Sequence, residues 1–305
     1  MKTHYLLIFG LLLSVLAFGQ FGCAPIGFGR ESQAQIIGSD FSLNPEAPPS
    51  IVEPNTEFQV MATIENYGDV NTNGVFCVYD TIDDSYGGIT DAIHHCEPVL
   101  IAGATEENGK IFPAKKVIIF PSPNSAFSYT NIQNQPANII ATWTYDYSTK
   151  SQPLICVCDP SKQSIVPCSS SESVYGHVRA PLDVVRVEKN LFRVSENQVR
   201  LKVKIHLKKQ IAGTLLLPGA ISKYNQDPKN KVWLRQVSFA KDILTCKTLN
   251  GNAESGVIEV GETEKVLSCQ GLISVNRVVT HPLNIWLDYS VEIKKIYPLK
   301  IETIE

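Results

Sequence analysis

Cysteine and histidine are the residues of this chain with the most chemistry to offer. The cysteines are Cys23, Cys77, Cys96, Cys156, Cys158, Cys168, Cys246 and Cys269, and His94-His95 stands directly before one of them. Thiolate and imidazole together are zinc or copper ligands. In an oxidising compartment the same thiols pair as disulfides instead. The spacing favours pairing: Cys156-Val157-Cys158 is a Cys-x-Cys step rather than a Cys-x-x-Cys zinc knuckle, and Met1 and Met61 offer little for the axial position of a copper centre. Cys246 and Cys269 have no other partner in the C-terminal half and are expected to bond to each other. Cys77 with Cys96, and Cys158 with Cys168, each bracket one loop and are expected to staple it. Cys156 is then left over, on the same strand face as Cys158. No cofactor is expected.

Three other constellations bear on function. Asp80, Asp83, Asp84 and Asp91 lie close to Gly87-Gly88. Carboxylates in a flexible loop can be calcium ligands, but the spacing is not that of a 12-residue calcium loop and a solvated turn is the default reading. Arg200, Lys202, Lys204, His206 and Lys208 alternate with apolar residues, so on a strand they share one face and form a row able to dock an anionic polymer or lipid headgroups; a solvated outer face is the alternative. Trp286 in Ile285-Trp286-Leu287 falls on the face opposite its neighbours, as a binding anchor or a packed junction residue. Gly103 to Lys110 has five residues between its glycines and is followed by Ile111, which spoils a phosphate-binding loop. No Gly-x-Ser-x-Gly or His-Glu-x-x-His occurs, so no enzyme is expected.

The elements that must position these residues read as strands. Phe58, Val60, Ala62 and Ile64 alternate with Gln59, Met61, Thr63 and Glu65, then Asn66-Tyr67-Gly68-Asp69 marks a turn before Val75 to Tyr79, expected to return as a hairpin. Lys116–Phe120, Ile139–Tyr147 and Leu154–Cys158 follow as short β-rich runs, and no convincing helical period appears. The polar stretch Ser169–Pro181 is expected to be a linker. Beyond it come Leu182–Val187, the cleanly alternating Val199–Leu207, Val257–Val260, Lys265–Cys269 and Leu283–Ile293. At 305 residues the chain suits two domains. Its net charge of −3 argues against nucleic acid as a partner.

The N-terminus opens with Lys2 and an apolar run from Tyr5 to Ala17, then small residues and Cys23. This is expected to be an export signal, with Gly22-Cys23 completing a degenerate lipobox in which Cys23 carries lipid. The expected parts are a signal or anchor at 1–22, a tether at 23–40, a first β-domain at 41–178 and a second at 179–305.

Ile51-Val52-Glu53-Pro54-Asn55-Thr56-Glu57-Phe58, with Ile64-Glu65-Asn66-Tyr67-Gly68-Asp69, resembles the CARDB-type domain, an immunoglobulin-like module of bacterial and archaeal surface proteins. Tyr145-Asp146-Tyr147, Ile155-Cys156 and Leu182-Asp183-Val184 are similar to strand motifs of archaeal envelope lipoproteins of unassigned function. The resemblance implies an all-β protein of two immunoglobulin-like β-sandwich domains in series, held outside the cytoplasmic membrane by its N-terminus. It implies no catalytic residue. The insertion from Asp80 to Ala114 is longer than such a module needs, and Pro121 to Pro136 matches none of its parts. The expected role is adhesion or assembly, with a protein or surface-polymer partner. The alternative is an accessory module for a metal ion (zinc, copper or calcium) or a surface carbohydrate.

Overall fold

A computed structural model describes residues 37–90, 95–132, 134–161, 168–219 and 227–303. The signal, Cys23 and most of the tether lie outside these residues, as do Asp91 and His94. Among the described residues, no helix is long and apolar enough to cross a membrane.

Apart from a 3-10 turn at Asp84–Tyr86, the regular elements described are strands. In chain order they are β1 (Ser39–Leu43), β2 (Ile51–Val52), β3 (Val60–Asn66), β4 (Thr72–Asp80), β5 (His95–Ile101), β6 (Thr105–Glu107) and β7 (Lys110–Phe112). Then come β8 (Ala114–Phe120), β9 (Gln135–Ser151), β10 (Leu154–Val157), β11 (Ser171–Val174), β12 (Leu182–Ser195), β13 (Gln198–Lys209) and β14 (Thr214–Leu216). The last are β15 (Lys231–Phe239), β16 (Asp242–Ile243), β17 (Thr245–Thr248), β18 (Gly251–Ala253), β19 (Gly256–Glu259), β20 (Lys265–Ser274) and β21 (Val279–Ile301).

The central sheet has ten strands, with β16-β15-β21-β9-β4-β5 in sequence and β2, β10, β14 and β19 on its margins. A three-stranded sheet, β1-β3-β8, and a six-stranded sheet, β11-β12-β13-β20-β17-β18, complete the layers, with a small β6-β7 hairpin. Pairing is antiparallel except where β2 meets the end of β21.

The axis of the central sheet is the β9–β21 ladder, which runs unbroken from Ile285↔Ser151 to Ile301↔Gln135. It joins a strand from each half of the sequence across the boundary expected at 178/179. Residues Ile36–Glu305 form one compact unit. The inner face of β9 carries Trp143, Tyr145 and Tyr147 in a row: Trp143 stacks on Tyr145, Tyr145 meets Tyr147 edge to face, and Tyr147 stacks on Tyr289 of β21. At one end of this row Trp143 Nε1 donates to Ser39 Oγ of β1 at 3.0 Å. At the other, Thr149 Oγ1 donates to the Leu182 carbonyl of β12 at 2.8 Å, and Leu182 N donates to Tyr289 Oη at 3.1 Å. The same ladder therefore backs both smaller sheets. A polar tip on each ring lets a buried aromatic also satisfy backbone groups of the opposite layer.

Two sequence expectations fail here. The β3–β4 hairpin does not form: β3 pairs with β1 and β8, whereas β4 pairs with β5 and β9. The turn at Asn66–Asp69 carries the chain from one layer to the other, and Phe76 of β4 packs across that gap on Phe41 and Phe120. The linker expected at Ser169–Pro181 contains β11, which pairs with β12 along Ser171–Val174.

Candidate functional site

The structure bonds Cys77 to Cys96 across β4 and β5, and Cys246 to Cys269 across β17 and β20. The expected Cys158–Cys168 bond is not made. Cys156, Cys158 and Cys168 are all thiols. Cys168 Sγ lies 2.6 Å from Cys156 Sγ, while Cys158 Sγ donates to the Cys168 carbonyl at 3.3 Å. Cys158 follows the end of β10 and turns inward, where it is buried, so the more accessible Cys156 is the sulfur that meets Cys168.

Metal ligation finds little geometry. His95 packs its ring on Phe127 and Phe120. Asp80 is buried: its Oδ1 accepts from the amides of Ile82 and Ile89 at 2.9 and 3.0 Å, and its Oδ2 accepts from Tyr129 Oη at 2.8 Å. Burial pushes this carboxyl above the usual range, against the hydrogen bonds that lower it. Asp83 instead caps the short turn at Asp84–Tyr86 by accepting from Ser85 N, which holds its carboxyl below the usual range. Asp80 and Oδ1 of Asp83 thus serve the loop's own backbone and Tyr129. Among the described residues no group of three potential ligands is gathered.

Trp286 is not a free anchor. Lys150 of β9 and the Arg235 guanidinium of β15 lie over its ring at 4.4 and 4.1 Å. These strands flank β21 on either side, so neighbouring cations cover the indole. Its Nε1 is buried without a hydrogen-bond partner. The adjoining groove, about 720 Å³, holds charges that are already matched: Arg235 with Asp288 at 2.7 Å, and Arg179 with Asp69 and Glu106.

The basic row behaves differently. Arg200, Lys202, Lys204 and Lys208 all project from the solvent face of β13, and none makes an ion pair with a described residue. His206 leaves the row. It is 6% exposed, because a bulge between Val184 and Arg186 brings Arg186 opposite it, and Glu188 and Glu264 close over the imidazole. The usable row is therefore the stretch from Arg200 to Lys204, with Lys208 set apart.

Cross-strand neighbours complete the face. Lys202 sits between Asn190 of β12 and Gln270 of β20, and Lys204 between Glu188 and Ser268. Phe192, 49% exposed, lies opposite Arg200, and Lys202 Nζ stands 5.0 Å over its ring. Across β20, Thr245 pairs with Gln270, and Lys247 extends the cationic surface. These side chains line a cavity of about 440 Å³ bearing three lysines, three amides, two hydroxyls and one aromatic ring, with no carboxylate. In a chain of net charge −3 this is a local excess of positive charge held on rigid strands. Lysines supply point charges for anions, amides and hydroxyls both donate and accept, and the ring offers a flat apolar contact.

Sequence reasoning found the lysines on β13 but not Phe192, Asn190, Lys247, Asn252 or Gln270. Only the solvent phase of Phe192 in the alternation of β12 hinted at it; the others depend on which strands neighbour β13. No family model matches the chain and no curated protein matches it in sequence, so the function of this cationic face is argued from its own chemistry.

Proposed function

We propose that this is an exported, non-catalytic envelope protein, tethered at its N-terminus through Cys23, that docks an anionic surface polymer on the cationic face of its six-stranded sheet. The observation that carries this proposal is the cavity lined by Lys202, Lys204 and Lys247 together with Phe192, and by no carboxylate. An acidic polysaccharide suits that lining: its charged groups meet the lysines, its hydroxyls the amides, and a sugar ring the face of Phe192. The two cross-strand disulfides support an oxidising, exported setting. In this proposal the architecture is a pair of immunoglobulin-like sandwiches that share the β9–β21 wall, rather than the two separate domains in series that the resemblance to CARDB-type surface modules implies.

The test is a binding titration with polygalacturonate and, in parallel, a neutral galactan, at two salt concentrations. The proposal expects binding to the acidic polymer alone, weakening steeply as salt screens exposed charges. Equal binding to both polymers, or to neither, would overturn it.

A further inference from the structure

The three thiols are not placed as spares. Cys156 and Cys168 approach at 2.6 Å. Two thiolates on one zinc ion, each about 2.3 Å from the metal, would stand well over 3 Å apart. The spacing therefore speaks for sulfur–sulfur chemistry rather than a shared metal. Beside them is a buried cation: Lys189 of β12, whose side chain is fully enclosed. Its Nζ donates to Glu172 Oε2 at 2.7 Å, to the Cys156 carbonyl at 2.7 Å and to Cys156 Sγ at 3.3 Å. Burial alone would lower the lysine, but Glu172 and Cys156 outweigh it and hold it as an ammonium. Glu172 and Lys189 are directly opposed in the β11–β12 pair, so the cation is fixed by register. Burial and the neighbouring thiols push the Cys168 thiol up, which keeps its proton in place until it reacts.

We infer that Cys156, Cys168 and Lys189 form a thiol–disulfide exchange site, in which Cys156 reacts with a small disulfide, Cys168 resolves the mixed disulfide, and Lys189 positions the Cys156 sulfur. The deprotonated Cys156 sulfur attacks one sulfur of the small disulfide, breaking its S–S bond and releasing one thiolate, which takes up a proton. Cys168 then loses its proton to solvent, and its sulfur displaces the second small thiolate from Cys156. Two protein thiols become one disulfide and one small disulfide becomes two thiols. Lys189 steadies the negative charge that Cys156 carries on attack, while the charge released in the second step leaves on the small thiolate, which takes up a proton from solvent. The product ties β10, on the central sheet, to the segment entering β11, on the edge of the six-stranded sheet. Cys158 is buried, with its Sγ directed to the Cys168 carbonyl, and takes no part; the other four described cysteines are already locked across paired strands.

The experiment uses the full chain with its two cross-strand disulfides intact, exposed to oxidised glutathione, acid-quenched, alkylated and mapped by peptide mass. The expected product is a Cys156–Cys168 link with Cys158 alkylated only after denaturation. Cys168→Ser should trap glutathione on Cys156. Lys189→Met should slow oxidation about tenfold, with Lys189→Arg restoring most of the rate. Urea midpoints of both Lys189 variants keep loss of folding separate from loss of reactivity. A Cys158–Cys168 link, glutathione trapped on Cys158, stoichiometric zinc that blocks oxidation, or a folded Lys189→Met that reacts at the wild-type rate would each overturn the inference.

Discussion

Asp80 separates a structural carboxylate from a metal ligand, and its replacement by alanine gives a defined result. Asp80→Ala removes the acceptor for the Ile82 and Ile89 amides and for the Tyr129 hydroxyl, all within a buried pocket. An orphaned buried donor costs about 1–3 kcal/mol, so three of them make the loss about 3–9 kcal/mol, a large share of an ordinary domain's stability. Asp80→Asn keeps an acceptor for both amides and lets Tyr129 Oη accept from the new amide, so its cost at neutral pH should be no more than about 1 kcal/mol. The sign of the pH dependence follows from burial. The folded carboxyl lies above its ordinary value of 3.8, so the native state binds this proton more tightly than the unfolded chain does. The stability this supplies is full below the ordinary carboxylate range and is lost as pH rises through the raised folded value. Wild type should therefore gain on Asp80→Asn as pH falls through that window. Urea unfolding of the three proteins over a pH series, with and without calcium, is the assay. An Asp80→Ala midpoint equal to wild type, or a wild-type midpoint that climbs on adding calcium and drops with a chelator, would refute the reasoning.

Other consequences are simpler. Replacing Cys246 and Cys269 together by alanine opens a closure of 23 residues and should cost about 3 kcal/mol, read as a lower thermal midpoint that a reducing agent no longer shifts at this site. Tyr289→Phe leaves the Leu182 amide and Thr149 hydroxyl short of a partner where β12 meets the β9–β21 ladder, and should cost about 1–3 kcal/mol in urea. Trp286→Phe should leave polymer binding unchanged within about twofold, since the indole is already covered by Lys150 and Arg235; a loss of affinity would return Trp286 to the site.

Period-2 alternation made the strands legible, because it states which residues share a face. Val199 to Leu207 is read correctly for that reason, and all five of its apolar members are buried. Alternation does not state which strand lies alongside. A short turn makes the β3–β4 hairpin the economical reading, but burying Phe76 between Phe41 and Phe120 requires the two strands in different layers. The stretch from Pro121 to Pro136 carried no pattern, yet Phe127, Tyr129 and Ile132 plug the core from it, held by isolated contacts such as Phe58↔Phe127. Leu283 to Ile293 marks only the central part of the strand that forms. In the structure β21 continues to Ile301, and Pro298 falls between the stretches where β14 and β2 pair with it, a gap in the ladder that suits a residue without an N–H. The proposed docking face was legible only as a row of charges. Phe192 and the surrounding amides joined it through strand neighbours, and His206 left it through a bulge, neither of which a one-dimensional pattern records.

The docking claim rests on three exposed lysines around one cavity, and reversing their charge tests it most directly. Affinity for polygalacturonate at low salt should be measured for wild type, for Lys202→Glu/Lys204→Glu/Lys247→Glu, and for a control carrying Lys110→Glu/Lys116→Glu/Lys241→Glu on exposed lysines elsewhere. With about 1 kcal/mol for each exposed charge, the site variant should bind roughly a hundredfold more weakly, while the control, with the same net charge, should lose only a few-fold. Equal losses in the two variants would show that overall charge alone attracts the polymer, and would contradict a site on the six-stranded sheet.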